Sequence, residues 1–383
     1  MVRGGTALVG ALALCASLGG CHLIFGHNPG SGETRGDGRP RLDTRSREGA
    51  PGLEVSRPLD GPSATDGSAI PCVPTTWCQD EKAAPAIGTL YDVSGTDDAS
   101  SVYAVGVGVV LRSTSAQRIW QTVPGLPSAT WRGVYVFPTR DAVVVGNAAA
   151  GNAIAYHVPT TGSPTPINVA TGIKDHTLNA VWMETATSGY VVTTAKSIYG
   201  GTISTVNGSQ ILAGPSFGAP INGIDGSGPE VWAVGEKGWL GTYDQAWQTL
   251  TLTGTPALNG VVALGLELSC LAGSSAGTGY VACCDYLLKL ECPIVQLLPA
   301  ALGIKALRDI TTGGAMVVAV GEGGAIVSAG ITIALPPTLG AFGIEASTTT
   351  NTLHAVWGAP SPTAGKYDAW AVGDGGAILH RKY

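Results

Sequence analysis

Past residue 71 the chain is built from short apolar runs broken by glycine-rich turns, and one pattern keeps returning. An apolar residue, two others and then Val or Ile occur as Leu90–Val93, Trp131–Val134, Leu178–Val181, Ile221–Ile224, Leu258–Val261, Leu307–Ile310 and Leu353–Val356. Successive copies lie 41, 47, 43, 37, 49 and 46 residues apart, measured at the second member. A turn follows each, then a second apolar run closed by a small pair. These pairs are Val105-Gly106, Val145-Gly146, Thr194-Ala195, Val234-Gly235, Ala272-Gly273, Val320-Gly321 and Val372-Gly373. The clearest copies pass through Gly235-Glu236-Lys237-Gly238, Gly321-Glu322-Gly323-Gly324 or Gly373-Asp374-Gly375-Gly376 into a third run. Glycines suit such turns because their central residues need positive φ. Several copies add a fourth run, such as Ala246-Trp247-Gln248-Thr249-Leu250.

Four short strands in a unit of about 44 residues are the pattern of a β-propeller blade. Helical repeats of similar period do not fit, because the units lack long 3.6-period stretches and are dense in Gly and β-branched residues. Residues 72–383 are therefore expected to form an all-β, seven-bladed propeller of four-stranded antiparallel blades. The two ends of this region support the expectation. The last copy stops at its third strand, Ala377 to Tyr383, while Thr75-Thr76-Trp77-Cys78 stands before the first copy like an orphan fourth strand. Trp120 precedes Val134 and Trp247 precedes Val261 by 14 residues, and Trp77 precedes Val93 by 16. The segment around Trp77 should thus complete the blade begun near Leu353, leaving no open edge at either end.

The N-terminus has another character. Met1-Val2-Arg3 leads into an apolar stretch from Thr6 to Ser17, too short for a permanent transmembrane helix but suited to export. It ends in Leu18-Gly19-Gly20-Cys21, which resembles the lipobox of bacterial lipoproteins. The resemblance implies a signal peptide over 1–20 and a mature chain that begins at Cys21, acylated (palmitate included) and anchored in a membrane. His22 in place of Asp favours the outer membrane over the inner. Between residues 22 and 71 six arginines face seven acids among Gly, Pro and Ser, with no period of 2 or 3.6. Residues 21–71 are expected to be a lipidated N-terminus and a disordered tether.

Composition narrows the function. Gly 56 and Pro 24 make 80 of 383 residues, only 13% are charged, and mean hydropathy is +0.24, which fits buried sheets and tight turns. A net charge of -6 argues against nucleic acid as a partner. Of eight cysteines, Cys15 and Cys21 belong to the export segment. The remaining Cys72, Cys78, Cys270, Cys283, Cys284 and Cys292 are disulfide candidates in an oxidising compartment, with Cys283 and Cys284 pointing to opposite faces and hence to different partners. Their spacings do not suit a metal, and none of the six histidines forms a metal-type pair. No cofactor and no catalytic residue is expected. Trp182, Trp232, Trp357 and Trp370 recur at strand positions and are assigned to packing between blades.

The run Leu353-His354-Ala355-Val356-Trp357 and the later Asp368-Ala369-Trp370-Ala371-Val372-Gly373-Asp374 resemble the repeat of secreted bacterial propellers. That repeat is similar to those of the photosystem II assembly and stability factor propellers and, more distantly, to sialidase-type repeats. The resemblance implies a fold and a scaffolding habit rather than a reaction. Sialidase-type Ser-x-Asp-x-Gly-x-Thr-Trp boxes do not occur, and no phosphate loop is present. The expected function is a membrane-anchored, monomeric interaction module of the cell envelope, non-catalytic, binding a protein or glycan through a propeller face. The alternative is an envelope hydrolase or lyase with its site at the central channel. Glu236, Glu322 and Asp374 occupy equivalent turns and are expected to form an acidic arc on one face, with Lys237 and Trp239 beside it. Such an arc would attract a basic partner or a divalent cation.

Overall fold

A computed structural model describes residues 76–79, 88–114, 119–195, 200–228, 230–244, 246–252, 256–265, 268–285, 291–298, 302–313, 316–332, 338–360 and 367–382. The signal peptide, Cys21, the tether and Cys72 lie outside them. All described residues belong to the second of two units into which the chain divides, Asp66–Tyr383.

That unit is a ring of seven blades, each entered at its innermost strand. Blade 1 runs Leu90–Gly95, Ser101–Gly106, Val109–Thr114 and Gln121–Thr122. Blade 2 follows as Ala129–Val136, Ala142–Ala148, Ala153–Val158 and Thr165–Val169. Blades 4 and 5 repeat the meander from inner strands Ile221–Ser227 and Ala257–Gly265. Blades 3 and 6, from Thr177–Met183 and Leu307–Gly313, differ at the rim. There two short segments share the third strand, Gln210–Leu212 with Ser216–Phe217, and Thr338–Leu339 with Gly343–Ile344.

Blade 7 is made from both ends of the region. Leu353–Pro360, Tyr367–Gly373 and Ile378–Lys382 form its first three strands, and Cys78–Gln79 pairs antiparallel with the last, Cys78 opposite His380. The hydrogen bonds of this clasp continue onto blade 6, where the Trp77 N–H donates to the Ala346 carbonyl at 2.9 Å and Thr348 N–H to the Trp77 carbonyl at 3.0 Å.

The repeated apolar-x-x-Val motif proves to be a β-bulge. In all seven blades the pairing of the first strand with the second slips by one residue directly after the apolar position. A bulge places two residues against one and re-aims side chains. The extra residues are Tyr91, Arg132, Asn179, Asn222, Asn259, Arg308 and His354. The small pair on the second strand is the other half of the device. At Gly373 an added Cβ would run into the Thr352 carbonyl oxygen, and at Gly106 into that of Thr89. Blade 3 carries Thr193 there instead, opposite Leu178, and the hydroxyl of the next residue, Thr194, accepts from Asn179 Nδ2 at 2.9 Å.

Neighbouring blades are fastened near the axis by polar side chains that reach the next inner strand. Asn179, Asn222 and Asn259 donate to the carbonyls of Ile221, Leu258 and Leu307 at 2.6, 2.9 and 2.8 Å. These bonds join blades 3 to 4, 4 to 5 and 5 to 6. Blades 2 and 3 are joined at the rim as well, where Thr165–Val169 and Gln210–Leu212 pair in parallel into one nine-stranded sheet. Their apolar side chains meet in a cluster that includes Ile167, Ile173, Leu178 and Ile211.

Candidate functional site

The seven inner strands enclose a channel of about 500 Å³. At one mouth stand the bulged residues, where each inner strand begins. The turns between second and third strands emerge on the same face. The sequences Glu236–Gly238, Glu322–Gly324 and Asp374–Gly376 form 3-10 turns with positive φ at Lys237, Gly323 and Gly375. Lys237 alone of these pays the steric cost of a Cβ at φ 58°.

The three acids of these turns do not form one open arc. Arg308 Nη2 donates to Glu322 Oε1 at 2.7 Å within blade 6. In blade 7 His354 Nε2 lies 2.9 Å from Asp374 Oδ1, which also accepts from Thr89 Oγ1 at 3.1 Å. The hydrogen bond from His354 holds the Asp374 carboxyl below its ordinary range, aided by the Thr89 hydroxyl and the charge of Arg308. Two of the three acids thus position the bulge residues of their own blades, Arg308 and His354. Glu236 faces no such partner, because blade 4 carries Asn222 at the bulge and that amide is bonded to blade 5. Lys237 is exposed, whereas Trp239 is only 8% exposed and packs against Phe217 with ring centroids 4.9 Å apart. Its indole belongs to the core between blades 3 and 4 rather than to a binding face.

The bulge ring is chemically two-sided. Blades 6, 7, 1 and 2 present Arg308, His354, Tyr91 and Arg132. The Arg132 guanidinium lies over the Tyr91 ring, 4.9 Å from its centroid, and that ring meets His354 at 5.4 Å. Blades 3, 4 and 5 present the three asparagines.

Deeper in the channel lie three carboxylates. Asp92 accepts from Val93 N–H and, across the seam, from Val134 N–H, both at 2.8 Å. Asp225 and Asp309 accept in the same way from Ala263 and Val356 at 2.9 Å. Burial outweighs these bonds, pushing Asp92 up to about 7 and Asp225 to about 6. Asp309 is raised well above its ordinary value by burial, with the other two carboxylates adding to the shift. Among the described residues no group of three or more His, Cys, Asp or Glu side chains could hold a metal ion.

The cysteines of blade 5 sit on adjacent strands. Cys270 and Cys283 are directly opposed in the ladder and form a disulfide. Cys284 takes part in a separate disulfide, so the vicinal pair Cys283 and Cys284 serves two bridges, and Cys78 of the clasp strand is likewise disulfide-bonded. Cys292 lies on the outer strand Glu291–Leu297. Trp182, Trp232 and Trp370 are buried between blades, and Trp357 stacks on Trp370 at 5.6 Å.

Sequence reasoning had no motif for Arg132, Arg308, His354 or the three aspartates. The available signal was positional. The bulge residue always follows the apolar residue that opens each repeat, and aligning the copies on that residue brings these side chains into one ring.

No protein-family model matches the sequence, and comparison with curated proteins finds no match. Solved structures do match in fold. YCF48 bound to a D1 peptide superposes with a TM-score of 0.59 at 14% identity, covering 82% of this chain and 98% of that one. YCF48 from Cyanidioschyzon merolae gives 0.59 at 12%, covering 80% and 98%. The WD40 propeller domain of Doa1 gives 0.58 at 10%, covering 81% and 97%. The chain is similar to these proteins as a β-propeller.

Proposed function

We propose that this chain is a lipid-anchored, non-catalytic interaction module of the bacterial cell envelope that holds a partner at the channel mouth. One observation carries the reading: seven blades each aim one bulged side chain at the same mouth, on a ring closed by its own N-terminal strand. Rigid scaffolds that present a preformed polar surface bind with little ordering cost. The mouth supplies charge, stacking area and hydrogen-bonding groups without a nucleophile beside a base, which suits recognition better than turnover. A propeller solved with a peptide bound, YCF48 with its D1 peptide, supports a polypeptide as the kind of partner.

The docking face is tested by photo-cross-linking in cells. Benzoylphenylalanine at Tyr91 or Asn259 should trap one discrete, protease-sensitive partner, while the same group at Thr249 on the rim of blade 4 should not. Trapping from the rim alone would place the working surface elsewhere, and a protease-resistant, glycosidase-sensitive adduct would make the partner a glycan.

Anchoring rests on Leu18-Gly19-Gly20-Cys21. The Cys21→Ser variant should lose its acyl label and leave the membrane fraction. Normal labelling of that variant would end the lipid-anchor reading without touching the docking face.

A further inference from the structure

We infer that the mouth takes an acidic peptide segment, and that Arg132 receives its carboxylate. The inference rests on the mouth being the docking site. Three nitrogen donors stand on the Arg–His–Tyr side, and two are already matched, Arg308 by Glu322 at 2.7 Å and His354 by Asp374 at 2.9 Å. Arg132 has no carboxylate partner among the described residues, and its Nε, like that of Arg308, is buried without a hydrogen-bond acceptor. A buried donor left unmatched is costly, and because no carboxylate stands beside Arg132 an incoming acid gains more here than at the other two.

The geometry also selects the kind of acceptor. The Arg132 guanidinium is centred over the Tyr91 ring, and that ring is braced by His354. A guanidinium placed over a ring is positioned by it, and its fork of parallel N–H donors fits a carboxylate's two oxygens. Farther in, the channel lining offers the carboxyl groups of Asp92, Asp225 and Asp309 and no further arginine, lysine or histidine, so nothing draws the carboxylate past the mouth.

The opposite side completes the match to a peptide. Asn179 and Asn222 spend Nδ2 on the next blade's carbonyl, which leaves their Oδ1 atoms to accept. A segment crossing the mouth can offer an acidic side chain to Arg132 and backbone N–H groups to the asparagines. The acidic turns expected to bind a basic partner therefore serve the reverse polarity, as struts for the cationic side.

The test uses three fluorescein-labelled decapeptides that alternate Ser with Glu, Gln or Lys, and fluorescence anisotropy at low salt. The Glu peptide should bind, the Gln peptide should bind at least about tenfold more weakly, and salt of about 0.3 M should erode the difference. Arg132→Gln should weaken the Glu peptide about tenfold or more. Arg132→Lys, which keeps the charge but loses the fork, should recover only part of that loss. Glu236→Gln, on the same face but away from Arg132, should change nothing. Equal binding of Glu and Gln peptides, full affinity in Arg132→Gln, or no binding of any peptide would overturn the inference. Preference for the Lys peptide would overturn it too and reinstate the acidic turns as the working surface. If the mouth still traps a partner by cross-linking in any of these cases, docking stands and only the carboxylate chemistry falls.

Discussion

Trp77→Ala should lower the stability of the propeller by about 3–5 kcal/mol, the cost of removing a fully buried indole and leaving a cavity. Trp77 is 0% exposed and packs with Val318, Val320 and Ile326 of blade 6 and with Leu353, Val356 and Leu379 of blade 7. Its Nε1 donates to Glu345 Oε2 at 2.5 Å, and the same carboxylate meets Ser328 Oγ and Arg381 Nη1. The substitution therefore strips both the apolar plug and one ligand of a buried carboxylate that ties the N-terminal strand to two blades. Glu345→Gln separates the two effects, since it keeps an acceptor for the indole but removes the charge facing Arg381. Because the two residues touch, the double variant should lose less than the sum of the single losses. Urea titration followed by circular dichroism measures all three. A loss below about 1 kcal/mol for Trp77→Ala would mean that the clasp opens independently of the ring.

The clasp was legible because it obeys a counting rule. A missing fourth strand at Tyr383 and a surplus one at Trp77 leave a single way to close the ring, and the register of Cys78 with His380 realises it. The repeat was legible for a similar reason, since a bulge and the close approach opposite it demand the same residue types wherever they recur. The split outer strands of blades 3 and 6 carried no such demand. Rim strands make their bonds through the backbone, and short exposed segments such as Ser216–Phe217 and Gly343–Ile344 leave little apolar pattern to find.

The polarity of the mouth was hidden for a different reason. Acidic residues in Glu236, Glu322 and Asp374 look alike along the chain, yet their meaning depends on a residue 14 or 20 positions earlier. Arg308 and His354 turn Glu322 and Asp374 into supports, while Asn222 leaves Glu236 without that role. Trp239 follows the same lesson with the opposite sign. Its place just after a polar turn suggests exposure, but it opens the third strand on the side that meets Phe217 and is buried there.

Asp92→Asn should make the protein progressively more stable than the wild type as pH rises, with a gain of roughly 2–4 kcal/mol between pH 4 and pH 8. Burial raises Asp92 from 3.8 to about 7 in the folded ring. Well below pH 4 both folded and unfolded chains are protonated at this residue, and its ionisation has no effect on stability. Between about 4 and 7 the unfolded chain releases the proton while the folded ring retains it, so wild-type stability falls over that window and levels off above it. Asparagine does not titrate and escapes the fall. It also supplies only one acceptor for the two N–H groups of Val93 and Val134, so at pH 4 the variant should be the less stable of the two. The crossing of the two stability curves is the signature, measured by urea titration across that pH range. Curves that stay parallel would show that Asp92 ionises in the folded ring as freely as in the unfolded chain. Asp309 provides a second reading of the same charge. Its carboxyl is raised partly by repulsion from Asp92 and Asp225, so removing the charge at Asp92 should bring Asp309 down, detectable as an earlier titration of its carboxyl carbon by NMR. An Asp309 signal that titrates at the same pH in both proteins would show that the carboxylates do not sense one another across the channel.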